Sequence, residues 1–591
     1  AHWLHVIARL KPGVTPAAAD AEFQAVVRQL QVEYPVTNRV MGADLVPLQE
    51  FLIGDIKTPL LILQASVGLL LLIACANVAN LLLAQAVGRE REMSLRLTLG
   101  ARQARLVRQA MTESLVLAAL GGIAGLFLGL WGTRALAALQ PAHMLPVRSV
   151  PMDLGVLAWI SLITTLTGLL FGIAPALWAA RRQPADVLRE GSKGSAGVRT
   201  RRWTAGLVAF EVAVALVLTV GAGLLVRSFW RLTRLDPGLD SDGVLVVAVR
   251  LPTPYDTTWK QLKFFQALLE RTQAIPGVTA AGFGTVAPFG TVAYTSDFHI
   301  AGRPPEEYGS EVARDYVTPD YFRTLGIPLK SGRVFDATDR QGSAGVVIIN
   351  ESLARQFFKG QDPVGQRITF DRIPDSTSVY RTIVGVVGDV RQRGLALEPQ
   401  IEAYEVLGQQ SNSYMTLVVH ASGDQPGLLT QVRNAMAAID PGITPAETWQ
   451  LSTLVQRSIA RQRFLMVLLL VFAATGVILA VVGVYGVMAQ LAARRTREMG
   501  IRLALGAQMS QVRWLVLREA VRLLAIGLGA GLLVAYMAGR GMRALLYDIA
   551  PADPVTFLAV TAMLIATGLV ASWLPAVRAS RADPATSLRS E

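Results

Sequence analysis

The chain has one cysteine and five histidines in 591 residues. Cys75 lies inside an apolar run, so a disulfide within the chain is excluded and the residue reads as a small core side chain, not a catalytic thiol. His2, His5, His143, His299 and His420 show no metal-ligand spacing. No stretch has the form G-x-x-x-x-G-K-[ST], so a phosphate-cradling loop of the nucleotide-hydrolysing kind is missing. An enzyme of the usual kinds has nothing here to work with, and any energy the protein uses must come from a partner or a gradient. Charge is scarce as well. Asp, Glu, Lys and Arg make up 17% of the residues against 52% hydrophobic ones, and the mean hydropathy is +0.41. That is too apolar for a soluble protein of several domains. The net charge of +13 does not point to nucleic acid, because the soluble part has no basic face with stacking aromatics. The arginines gather at the ends of apolar segments, where positive-inside topology puts them.

What is present is one sentence written twice. Arg91-Glu92-Met93-Ser94-Leu95-Arg96-Leu97-Thr98-Leu99-Gly100-Ala101 returns as Arg497-Glu498-Met499-Gly500-Ile501-Arg502-Leu503-Ala504-Leu505-Gly506-Ala507. A second echo follows each copy: Pro175-Ala176, Arg181, Pro184-Ala185 and Leu188-Arg189 reappear in order as Pro575-Ala576, Arg581, Pro584-Ala585 and Leu588-Arg589. The chain therefore consists of two homologous membrane halves.

Crossing a hydrocarbon core takes about 20 helical residues. Seven runs qualify: Pro59 to Val87, Ser114 to Thr133, Leu154 to Ala180, Trp203 to Val226, Phe464 to Ala493, Leu523 to Gly539 and Pro554 to Val577. The first, second and third match the fifth, sixth and seventh, so the fourth opens the second half and eight spans are expected of a complete molecule. The basic loops around Arg96 and Arg502, and the basic segment 181–202 with its Gly/Ser-rich linker, belong in the cytoplasm. The region 235–460 then lies outside, together with residues 1–57. The expected fold class is membrane α-helical with an α/β periplasmic domain. Its parts are a remnant of a first outer domain (1–57), a first three-helix transmembrane domain (58–190), a basic linker (191–202), a lone helix (203–228), the outer domain (235–460) and a second three-helix domain (461–591).

In the outer region the alternation predicts strands at Val244 to Leu251, Thr279 to Thr285, Val346 to Asn350, Ile383 to Val387 and Met415 to His420. Helices are expected at Trp259 to Ile275, Glu351 to Phe358 and Gln425 to Ile439, with Asn350 as an N-cap. Gly385 to Asp389 is expected as a tight turn. Near the start, the pattern predicts a strand over Trp3 to Leu10, a helix over Pro16 to Tyr34 and a short strand and helix within Leu45 to Ile56, the tail of a larger soluble domain.

Polar residues inside the apolar runs carry two readings each. Glu211 is a functional candidate because an intramembrane carboxylate is costly; the blander expectation, which is favoured, is pairing with Arg201 or Arg202. Asn77 and Asn80 lie three apart on one helix face and are expected to hydrogen-bond a neighbouring helix as packing. Glu113 and Glu519 occupy equivalent positions beside the basic loops, where a structural ion pair is expected. In each repeated loop a short helix with alternating Arg and apolar residues ends at Gly100 or Gly506, which can take the left-handed cap. A rigid helix-turn-helix present twice reads as a docking surface for two copies of something, in preference to a helix that merely meets anionic lipid.

The R-E-M-x-[LI]-R-L-x-L-G-A loops, the basic tails around Arg189 and Arg589, and the outer stretches Asp320 to Ile327 and Val384 to Arg391 resemble those of MacB/FtsX-type ABC transporter permeases. The double length without an ATPase is similar to the duplicated orphan permeases of that group. The resemblance implies four membrane helices per half, with a periplasmic domain between the first and second. It also implies a partner ATP-binding subunit in two copies, which would hold ATP and Mg, this chain itself holding no cofactor and no metal. Glu92, Met93, Arg96, Leu97, Gly100 and Ala101, with Glu498, Met499, Arg502, Leu503, Gly506 and Ala507, would form the coupling helices. Motion would pass to the periplasmic side of a bacterial inner membrane, for efflux or extraction of an amphiphile. The alternatives are activation of a periplasmic enzyme and an ATPase-independent scaffold. Membrane lipid and a periplasmic adaptor complete the expected partners; nucleic acid is not among them. Such a periplasmic part divides into one subdomain made from about 236–315 and 408–460 and a second inserted between.

Overall fold

The computed structural model of the chain describes residues 6–38, 42–88, 103–139, 153–180, 195–290, 294–303, 311–371, 374–409, 412–423, 427–494, 499 and 508–580. They fall into two units, one of 1–53 with 232–460 and one of 54–231 with 461–591.

Helix α1 (Pro16–Glu33) starts where sequence chemistry places it: the Thr15 hydroxyl accepts the Ala18 amide and Pro16 takes the first turn. Residues 6–10 are not a strand. An extended segment needs a ladder partner for its backbone groups, and no described strand pairs with it. The strand and helix expected within 45–56 are replaced by helix α2 (Leu48–Gly88), which runs on through Pro59.

The remaining membrane helices of the first half are α3 (Gln103–Leu139) and α4 (Leu154–Ala180), followed by α5 (Ser195–Leu232). Beyond the soluble unit come α10 (Ala460–Arg494), α11 (Met509–Gly541) and α12 (Pro554–Ser580). Each has at least 27 residues, hence a rise of about 40 Å or more. Among the described residues six helices are long and apolar enough to cross a membrane, and the seventh expected span, α4, contributes an apolar stretch of Leu154–Leu169. Leu117, Phe127, Leu128 and Trp131 on α3, and Leu558 and Val570 on α12, are exposed. Such apolar faces are at home only in lipid. In the second half α5, α10, α11 and α12 share one core around Val212, Leu216, Leu528 and Leu564.

The soluble unit holds, in chain order, β1 (Val244–Arg250), α6 (Thr258–Gln273), β2 (Val278–Gly284), β3 (Tyr294–Asp297), β4 (His299–Ile300), β5 (Glu311–Val317), β6 (Leu329–Gly332), β7 (Val346–Asn350), α7 (Glu351–Phe357), β8 (Arg367–Thr369), β9 (Arg381–Val387), β10 (Glu402–Val406), β11 (Tyr414–Ala421), α8 (Leu428–Ala437), β12 (Glu447–Gln450) and α9 (Leu451–Ser458). A four-stranded sheet, ordered β12-β1-β11-β2, is antiparallel throughout. It is covered on both faces, which explains why β1 reads as an unbroken apolar run. Leu245, Val247 and Val249 pack with Phe264, Phe265 and Leu268 of α6 and Val432 of α8, while Val244 and Val246 face Tyr321, Phe322 and Tyr404. The second sheet runs β3-β5-β10-β7-β9-β8-β4, with β6 on β9. Strands β3 to β5 belong to this second sheet, so the inserted subdomain starts near residue 294 and not near 315. Asn350 caps α7 by accepting the Leu353 amide at 3.1 Å. The strand expected over Ile383 to Val387 lies within β9, so of the expected turn only Gly388 and Asp389 fall outside the strand; at Gly385 a Cβ would lie 2.2 Å from the Arg333 carbonyl, and only glycine lets that backbone pass.

Candidate functional site

Of the twelve coupling-loop residues, Glu92, Met93, Arg96, Leu97, Gly100, Ala101, Glu498, Arg502, Leu503, Gly506 and Ala507 lie outside the described residues. Met499 is described and is 1% exposed, packed with Met488, Ala492, Val512 and Val516. A buried anchor on the second loop ties it to α10 and α11, the helices on either side of it. Glu113 is exposed and accepts from Gln109 Nε2 at 3.1 Å, one turn earlier on α3, while Glu519 is half-buried on α11.

The structure gathers Glu211, Asn77 and Asn80 in one place. Glu211 on α5 is 0% exposed, and Asn80 Nδ2 of α2 donates to its Oε1 at 3.2 Å. Asn77 Nδ2 donates to the Leu479 carbonyl of α10 at 2.9 Å. The expected pairing with Arg201 or Arg202 rests on side chains that lie outside the described ones. Gly483 of α10 completes the site and was not legible in advance: a Cβ there would fall 1.9 Å from Glu211 Oε2 and 2.6 Å from Asn77 Oδ1. Three helices, one from the first half and two from the second, meet on this polar spot.

Further contacts fix α5 in the membrane unit. Near its C-terminal end, Arg227 pairs with Asp553, Arg231 with Asp548 at 2.6 Å, and the Ser228 hydroxyl accepts the Tyr547 amide at 2.8 Å. Asp553 also caps α12 by accepting from the Thr556 amide at 2.9 Å. Along the helix, Gly527 and Gly531 of α11 meet α5 backbone to backbone: a Cβ on Gly531 would lie 2.9 Å from the Ala213 Cα and carbonyl oxygen. Replacing Gly531 by Leu should therefore destabilise the membrane unit by roughly 1–3 kcal/mol. The thermal unfolding midpoint in detergent reads this directly, and an unchanged midpoint would mean that α5 and α11 do not pack this way.

The soluble unit buries several carboxylates that sequence reasoning passed over. Glu405 on β10 accepts from Arg314 Nε at 2.8 Å and pairs with Arg381 Nε at 2.6 Å. Both guanidiniums lie over the Phe370 ring, 4.0 and 5.2 Å from its centroid. On the opposite face of β10, Glu402 accepts from the Tyr404 hydroxyl and from Gln400 and Gln392, and burial pushes its carboxyl up to about 7. Asp315 on β5 accepts from the Thr285 amide at 2.6 Å, and burial pushes it too up to about 7. The signal available in the sequence was the run Glu402-Ala403-Tyr404-Glu405-Val406, a strand pattern with acids on both faces. Beside α6 an open cleft of about 630 Å3 is lined by Trp259, Leu262 and Phe265 together with Lys263 and Arg340. An apolar floor edged by cations suits a molecule with an apolar body and an anionic group.

Comparison with known proteins gives two family matches. The FtsX-like permease C-terminal model matches twice, at residues 65–185 and 470–584, and the MacB-like periplasmic core domain model matches residues 208–447. Among curated proteins, the pyoverdine export ATP-binding/permease protein PvdT of Pseudomonas syringae pv. syringae (strain B728a) is 29% identical over 268 residues, 45% of this chain and 40% of the relative. The macrolide export ATP-binding/permease protein MacB of Shigella sonnei is 26% identical over 279 residues, 46% of this chain and 43% of the relative. The aligned region is thus about two-fifths of the length of these curated relatives. Among solved structures, the periplasmic region of MacB from Actinobacillus actinomycetemcomitans aligns over 38% of this chain and 96% of its own, at 13% identity and a TM-score of 0.26. Two copies of the permease domain enclose the periplasmic core domain, each copy containing one of the repeated Arg-Glu-Met loops, and the chain belongs to the MacB/FtsX-type ABC transporter permeases.

Proposed function

We propose that the chain is the membrane subunit of a mechanotransmission exporter, driven by separate ATP-binding subunits that dock on its two repeated loops. The observation that carries this reading is that each FtsX-like match contains one copy of a closely similar Arg-Glu-Met loop between two membrane-length helices. Two equal docking loops fit a pair of motor subunits, which would supply ATP and Mg; Glu92 to Ala101 and Glu498 to Ala507 are then the contact residues. The names of the relatives join export with ATP binding and permease in one protein, and the duplicated chain would take its ATPase from elsewhere. The soluble unit is inserted in the chain between α5 and α10, so movement of these helices reaches it directly. The cleft at Trp259, Lys263 and Arg340 favours an amphiphilic cargo with an anionic group over a purely apolar one. The membrane in question is the inner membrane of a bacterium, with the soluble unit in the periplasm.

Reversing charge on both loops, Arg96→Glu with Arg502→Glu, should lower recovery of the ATP-binding subunit with the permease at least tenfold, about 1.4 kcal/mol of lost affinity. Full recovery would mean that the ATP-binding subunits do not dock on these two loops. Gly506→Val, which would strain the left-handed cap that the sequence leads one to expect there, should leave hydrolysis running while movement of the soluble unit, followed by a fluorescent probe on α6, is lost. Unaltered movement would argue against docking at the second loop.

A further inference from the structure

Glu211 brings two carboxyl oxygens into a site that offers one donor. Asn80 Nδ2 donates to Oε1 at 3.2 Å. Glu211 Oε2 and Asn80 Oδ1 are both buried and have no partner. They belong to the same carboxyl and amide groups that the Nδ2–Oε1 bond already joins. A carboxylic acid and a primary amide are complementary edge to edge: the amide N–H meets the acid carbonyl, and the acid O–H meets the amide carbonyl. A single proton on Oε2 turns two unpartnered acceptors into a donor and an acceptor.

The ionised alternative leaves both atoms unsatisfied and places a net charge at membrane depth, at a cost of several kcal/mol. Among the described residues a single amide N–H is all that offsets that charge. The groups that face Glu211 are Asn80 and Asn77 from α2 and the backbone at Gly483 from α10. Among the described residues no Arg, Lys or His of α2, α5 or α10 pairs with it. Gly483 also explains how the carboxyl fits, since any side chain there would occupy the position of Oε2.

We infer that Glu211 is an intramembrane proton-binding site, held as the neutral acid with Oε2–H donating to Asn80 Oδ1 while Asn80 Nδ2 donates to Oε1. The proton comes from water and returns to it, and no other bond changes. The closed ring ties α2, from the first half, to α5, which opens the second, while Asn77 ties α2 to α10 through the Leu479 carbonyl. Loss of the proton would break one of the two bonds and place an uncompensated charge between the halves. The inference does not depend on the ATPase reading.

Infrared difference spectroscopy on the full chain in lipid, wild type minus E211Q, tests it. At neutral pH the wild type should show the carbonyl band of a protonated carboxyl that E211Q lacks, and N80L should shift that band to the position of a carboxyl without a hydrogen-bond partner. Carboxylate bands at neutral pH, with no protonated-acid band, would overturn the inference and point to an ionised group holding a cation. A second measurement is independent of spectroscopy. E211Q replaces the acid O–H by an amide N–H and keeps both ring bonds, so its melting temperature should match the wild type, while E211A should melt lower. Equal destabilisation of the two variants would also overturn the ring.

Discussion

Glu405→Ala should be the most damaging single substitution in the soluble unit, lowering its stability by about 3–5 kcal/mol. The reason is what stays behind. Arg314 and Arg381 have side chains only 12% exposed, and Glu405 only 4%, so truncation strands two guanidiniums that water barely reaches. Arg314 would keep the Tyr316 hydroxyl at 3.1 Å and the Phe370 face, and Arg381 the Val379 carbonyl at 3.2 Å. Neither contact neutralises charge. Glu405→Gln, which keeps an acceptor oxygen but not the charge, should fall between wild type and Ala. The thermal midpoint of the full chain and the rate of proteolysis within 311–406 read the effect. An alanine variant as stable as the wild type would mean that β5, β9 and β10 do not converge on this carboxylate.

The second large effect concerns pH. Asp315 and Glu402 are pushed by burial up to about 7, against about 4 in an unfolded chain. For acids raised on folding, the folded state binds more protons than the unfolded state between those values. Their stabilising contribution is fully present below about pH 4 and is lost as pH rises through about 7. Each group can account for something on the order of 4 kcal/mol across that span, and the two oppose each other's ionisation, since Asp315 also raises Glu402. Asp339 acts with the opposite sign and in another window. The Arg333 hydrogen bond holds its carboxyl below the usual range, so its contribution is lost only as pH falls through that lowered value. Between about pH 5 and pH 8 the buried pair therefore dominates, and the soluble unit should melt higher at the acid end. D315N/E402Q, which keeps the acceptors without the charge, should flatten the profile and melt higher than wild type at pH 8. A wild-type midpoint that rises from pH 5 to pH 8 would contradict the burial of these acids.

How much of this was legible beforehand follows from what each feature depends on. Long apolar runs between basic ends need no partner to be recognised, so α5, α10 and α12 lie close to where hydropathy put them. The strands β1, β7 and β11 were equally plain, being continuous β-branched and apolar runs buried on both faces. Short strands such as β3, β6 and β8 carry no period of their own; they exist because a neighbouring strand supplies their hydrogen bonds. The same holds for the missing strand at residues 6–10, where no described strand offers a ladder. Asn77, Asn80 and Glu211 could each be singled out as polar residues in apolar runs, but Asn80 and Glu211 meet across 131 residues of sequence and the site depends on Gly483. A glycine in a helix of small and apolar residues gives no hint of which carboxylate it accommodates. Glu402 and Glu405 were hidden for a related reason, because a strand with acids on both faces looks solvated until the sheet and the arginines that cover it are in place.

The measurement closest to the central claim is affinity purification of the full-length protein from its native membrane in mild detergent, with mass spectrometry of what accompanies it. The account predicts an ABC ATP-binding subunit at about two copies per chain, lost when Arg96 and Arg502 are both reversed to Glu. Recovery of intact, folded permease repeatedly free of any ATP-binding subunit would contradict it.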